Sequence, residues 1–80
     1  MPKWNPEPLI NVVLALLRVS RDGKLREDEI LRMLKYTYSD ISRKELVKTL
    51  MTLEIRGLIR VYLAKENLLI AELVKQSKEH

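Results

Sequence analysis

From Leu9 to Val19 apolar residues follow one another almost without a break, interrupted only by Asn11 and Arg18. The stretch falls well short of the ~20 residues that a membrane-spanning helix needs, so it reads as a buried helix over 8–19. Glu7 and Pro8 suit its first turn, where a missing N–H costs nothing, and Asp22-Gly23 is a strong stop. Lys24-Leu25-Arg26 has room only for a short edge strand. Ile30, Leu31, Leu34 and Tyr38 then recur at helical spacing and predict a second helix over 27–37. Its first turn, Glu27-Asp28-Glu29, puts negative charge where the helix dipole is positive. The turn that follows, 38–41, ends on Ile41, which is expected to plug the space between two helices.

A capping box opens the third helix: Ser42 is the N-cap, and Glu45 can reach back to its N–H. Leu46, Leu50, Leu53 and Leu58 form one apolar stripe, and Gly57 supplies a left-handed C-cap. Beyond the glycine the period changes to two. Ile59, Val61 and Leu63 alternate with Arg60 and Tyr62, the pattern of a half-buried strand. Lys65-Glu66 reads as a tight loop and 68–73 as the returning antiparallel strand, with Leu63 opposite Leu68 and Val61 opposite Ile70. Three prolines within 1–8 make 1–7 an extended arm, with Trp4 as its packing cap, and 75–80 is a polar tail. Residues 8–74 are thus expected to form one domain, mainly α with a small β-hairpin.

Composition removes several function classes. At 80 residues and 46% hydrophobic content the chain can build a core, though a small one. It has no Cys, and its single His is His80, so disulfides, thiolate metal sites and histidine-based catalysis fall away. Carboxylates and lysines remain, but the Glu27-Asp28-Glu29 cluster is accounted for by the helix dipole. With only Gly23 and Gly57 there is no phosphate-cradling loop. Neither an enzyme nor a cofactor is expected. The formal charge of +4 and pI near 9.6 favour polyanions mildly. Nothing reads as a targeting signal, so a cytoplasmic location is expected.

The order helix, short strand, helix, turn, helix, strand, hairpin loop, strand resembles the winged helix-turn-helix across 8–74. Within it, Leu50-Met51-Thr52-Leu53-Glu54-Ile55-Arg56-Gly57-Leu58-Ile59 is similar to the end of a recognition helix running into the wing. That pattern speaks to fold more than to ligand, because its leucines and glycine pack and cap; the same fold also serves as a protein-binding module. The resemblance implies a three-helix winged-helix domain with double-stranded DNA as partner, acting as a transcriptional regulator or chromatin-associated factor. Carried onto this chain, the base-reading positions are Arg43, Lys44, Val47, Lys48 and Thr52, with Arg60, Lys65 and Asn67 as backbone contacts of the wing. At ~100° per residue Lys44 and Lys48 lie nearly opposite the leucine stripe and must face solvent or a ligand.

Two features depart from the family pattern. Val47, Met51 and Ile55 make an i, i+4, i+8 apolar stripe, though family members usually carry polar residues at Met51 and Ile55, and it supports an alternative role as a protein-interaction module. The first helix is apolar over roughly 220° of its wheel, whereas a core-facing helix needs little more than ~100°. That excess predicts a twofold homodimer through Leu9, Val12, Leu16 and Val19, unless the arm around Trp4 covers the same surface. Tyr36, on the polar side of the second helix, is a candidate phosphate or partner contact or a surface residue without a role.

Overall fold

The computed structural model describes residues 6–74, with side chains from Leu9 onward. Three helices, α1 (Pro6–Val19), α2 (Glu27–Leu34) and α3 (Arg43–Ile55), pack against a three-stranded antiparallel sheet. Its strands are β1 (Lys24–Arg26), β2 (Ile59–Leu63) and β3 (Leu69–Leu73), in the spatial order β1-β3-β2. The elements expected from periodicity are all present, including the three-residue edge strand. The readings that involve Trp4 and the tail 75–80 lie outside the described residues.

The helix boundaries differ from expectation at two places. α1 begins at Pro6 rather than residue 8, since prolines in a first turn forfeit no helical hydrogen bond. α2 ends at Leu34 rather than 37, because the chain tightens there. The Thr37 N–H bonds the Leu34 carbonyl at 3.0 Å and the Tyr38 N–H bonds the same oxygen at 2.7 Å. The result is a compact turn that delivers Ile41 into the core at 1% exposure.

α1 packs on α3 and on β3, which covers much of its wide apolar arc within one chain. Leu9, Ile10, Val13, Leu14 and Leu17 are buried, and Val12 and Leu16 are half-buried against the same core. Of the apolar residues once left over, only Val19 stands clear, at 80% exposure. Leu46, Leu50 and Leu53 line the inner side of α3, and Leu58 is half-buried. Ser42 and Glu45 form the expected capping box. Gly57 closes α3 at φ 80°, with the Leu58 N–H bonded to the Leu53 carbonyl at 3.0 Å and the Gly57 N–H to that of Glu54 at 2.9 Å. That double bond is the Schellman arrangement, and it aims the chain straight into β2.

The hairpin register differs by one residue from the expected one. Leu63 stands opposite Leu69, Val61 opposite Ala71 and Ile59 opposite Leu73. In the expected register Ile59 would have faced Glu72, placing a carboxylate on the core side of the sheet. One more residue in the loop brings Leu73 and Ala71 inward and turns Glu72 outward, between Arg60 and Lys24. The loop therefore spans 64–68, closed by the Ala64 N–H on the Leu68 carbonyl at 2.7 Å. A single 3-10 turn, Lys65–Asn67, carries it, with Glu66 and Asn67 both at positive φ. At the outer rim of the sheet, the Val61 N–H points away from β3 and donates to a Glu54 carboxylate oxygen at 3.3 Å.

Candidate nucleic-acid interface

The three buried leucines fix how α3 is turned, and every other side chain on it follows at ~100° per residue. Lys44 and Lys48 emerge opposite the core and are exposed, with no ion pair among the described residues. Arg43, Val47 and Glu54 instead lie on the flank that faces the hairpin. The Val47–Met51–Ile55 stripe consequently is not one exposed band. Each i, i+4 step advances ~40° around the helix, so Val47 and Met51 are half-buried and only Ile55 stands out, at 85% exposure. Val47 is thus shielded from the position where a base reader would sit. The Thr52 hydroxyl donates to the Lys48 carbonyl at 3.0 Å, within its own helix.

Arg43 is committed internally. Its Nε and Nη2 both donate to the carboxylate of Glu27, the latter at 3.1 Å, and Glu27 is only 4% exposed. The same carboxylate accepts the Leu69 N–H at 2.8 Å. The strand geometry explains why. Along β3 the odd-numbered N–H groups point toward β1, as with the Leu73 N–H on the Gly23 carbonyl at 2.9 Å. Continuing that ladder, Leu69 would be opposite Glu27, but the chain has already turned into α2 there. The Glu27 side chain supplies the acceptor that its own backbone no longer offers. Hydrogen bonding to Arg43 holds this carboxyl below its ordinary value; burial opposes the shift and the Leu69 N–H assists it. One buried carboxylate therefore joins the starts of α2, α3 and β3.

That junction decides which expected contacts come together. Lys65 and Asn67, exposed at the hairpin tip just before Leu69, are held on the side of the domain where α3 begins. The hairpin tip with Lys65 and Asn67 is thus tied to the start of α3, the helix that exposes Lys44 and Lys48 on its outward side. Arg60 does not join them. It lies at the base of the hairpin on the outer sheet face, near the turn after α1. Tyr36 is 87% exposed in the turn that follows α2. Of the four residues expected at a dimer contact, Leu9 is a correction: at 3% exposure it is core and offers no surface to a second copy. Val12 and Leu16 offer part of theirs, and Val19 nearly all.

No family model, curated protein or solved structure matches the chain. Among the described residues no group of His, Asp or Glu side chains could hold a metal ion, and no helix is long and apolar enough to cross a membrane. The residue that sequence reasoning overlooked is Glu27. Nothing in Glu27-Asp28-Glu29 separates the first carboxylate from its neighbours. The distinguishing fact is its place opposite Leu69, which requires knowing that β1 pairs with β3.

Proposed function

We propose that the chain is a winged-helix domain that binds double-stranded DNA, with α3 in the major groove and the hairpin 59–73 as the wing. The observation that carries this reading is the grouping of Lys44 and Lys48, exposed on the outward side of α3, with Lys65 and Asn67 at a hairpin tip tied to the start of that helix through Glu27. The strand order β1-β3-β2 behind three helices supports the same reading. Affinity comes from phosphate neutralisation by the lysines, and such specificity as exists comes from the exposed residues of α3. Arg43 acts here as a strut of the interface, with Val47 behind it. The domain works in the cytoplasm as a regulator or chromatin-associated factor. A second copy meets it through the strip Val12, Leu16 and Val19.

A gel-shift titration with mixed duplex fragments at two salt concentrations tests the proposal. Each phosphate-contacting lysine removed should flatten the salt dependence of log K by about 0.9. Lys44→Ala with Lys48→Ala should therefore flatten it by about twice that, and Lys44→Glu with Lys48→Glu should abolish measurable binding. Unchanged affinity in the latter pair would transfer the proposal to a protein-interaction module. The exposure of Ile55 at 85% and Leu63 at 62% favours that second reading, and contacts through such side chains are nearly indifferent to salt.

A further inference from the structure

At the end of the sheet opposite the hairpin tip, the turn after α1 and the base of the hairpin enclose a groove of about 690 Å³. That volume lies within the ~300–1,000 Å³ of small-molecule sites. Its apolar lining with surface to offer is the half-buried pair Leu73 and Val74, while Leu17 lies fully buried beneath. Around it stand Arg18, Arg21 and Arg60, all exposed and none in an ion pair or side-chain hydrogen bond among the described residues. Arg18 complements the C-terminal dipole of α1, and Arg60 stands across the strands from Glu72; Arg21 has no such counterpart. Two carboxylates also line the groove. Asp22 accepts the Lys24 N–H at 3.3 Å, and Glu72 sits in the sheet between Lys24 and Arg60.

We propose that this groove binds a small organic phosphate, its phosphate group held by Arg18, Arg21 and Arg60 and its organic body resting on Leu73 and Val74. A guanidinium presents a planar fork of donors that matches phosphate oxygens in pairs. Three arginines lining one groove offer more donors than a single carboxylate can accept from, and a phosphate dianion has the oxygens to match them. The apolar lining favours a ligand with a body over the bare ion. The site lies apart from the α3 end of the molecule, so it stands or falls independently of the DNA reading.

Titration of the full chain with AMP and with inorganic phosphate, followed by calorimetry and by the Nε–H resonances of the arginines, tests this at physiological ionic strength. AMP should bind saturably, with inorganic phosphate competing more weakly, and the resonances of Arg18, Arg21 and Arg60 should move while that of Arg32 stays. Arg21→Ala and Arg60→Ala should each weaken AMP at least about tenfold. Arg60→Lys, which keeps charge and fold but loses the planar fork, should recover only part of that loss, and Arg32→Ala should change nothing. Absence of saturable binding by either probe up to millimolar concentration overturns the proposal, as does AMP binding indifferent to Arg21→Ala and Arg60→Ala. Should those two variants instead weaken duplex DNA while AMP fails to bind, the three arginines belong to a nucleic-acid surface and the small-ligand site is refuted.

Discussion

Replacing Glu27 by Ala removes the one acceptor that the Leu69 N–H has where β1 gives way to α2. The bond is charge-assisted, and the N–H it leaves behind belongs to a half-buried residue, so the loss should be about 2 kcal/mol, within the ~1–3 kcal/mol range for an orphaned partner. Arg43 adds nothing to that figure, since its side chain is 58% exposed and returns to water. For a domain of this size the melting temperature should fall by roughly 8–16 °C. Glu27→Gln keeps an acceptor oxygen of the same reach and loses only the charge, so about half the effect is expected. The two variants also separate by pH. The Glu27 carboxyl titrates below its ordinary 4.5 in the folded chain. A depressed folded value means that its stabilisation is complete above the unfolded value and drains away as pH falls through the folded one. The stability gap between native and Glu27→Gln protein should therefore be constant at neutral pH and close on acidification below about 4.5. Urea denaturation at a series of pH values measures it. An Ala variant within ~0.5 kcal/mol of native, or a Gln variant whose deficit persists unchanged in acid, would refute the idea that this carboxylate joins the three elements.

Leu50→Ala, at a position with no exposure, should cost ~2–5 kcal/mol by denaturant unfolding, as a core truncation does. Gly57→Ala meets no atom within 4 Å but must hold φ 80°, so its cost is backbone strain alone, ~1 kcal/mol and roughly 4–8 °C in melting temperature. Leu16→Glu should convert a dimer to a monomer by light scattering, because it would set a charge against its own symmetry mate. A native chain already monomeric at high micromolar concentration would remove the dimer from the proposal.

The elements were legible because each is announced by its own punctuation: Asp22-Gly23, the Ser42–Glu45 box and Gly57 all act where the residue pattern puts them. The register of the hairpin was not. Leu68, Leu69 and Ile70 are consecutive and apolar, so alternation alone cannot choose between two pairings one residue apart. The core chose, by keeping Glu72 out. The apolar arc of α1 overstated, for a related reason, how much surface is left for a partner: Leu9 is core, while Val12, Leu16 and Val19 keep some of theirs. A helical wheel counts apolar positions but not the number of neighbours, and α1 packs on both α3 and β3. At the candidate interface the exposed lysines of α3 were readable, because three buried leucines leave them only one direction. Arg43 was not, because its partner Glu27 lies sixteen positions away in sequence and is brought close only by the sheet.

Glu54 has a bearing on how these molecules behave toward one another. A short sheet with a bare rim invites any extended chain to add itself as one more strand. Here the middle of that rim is already claimed. The Glu54 carboxylate occupies the outward N–H of Val61, so a newcomer would have to dislodge a negative charge to gain its central hydrogen bond. The opposite rim, on β1, is only three residues long. A concentrated solution of this chain is thereby protected from sheet-to-sheet growth by one acidic side chain and one very short strand, leaving its exposed apolar residues to make contacts of a different kind.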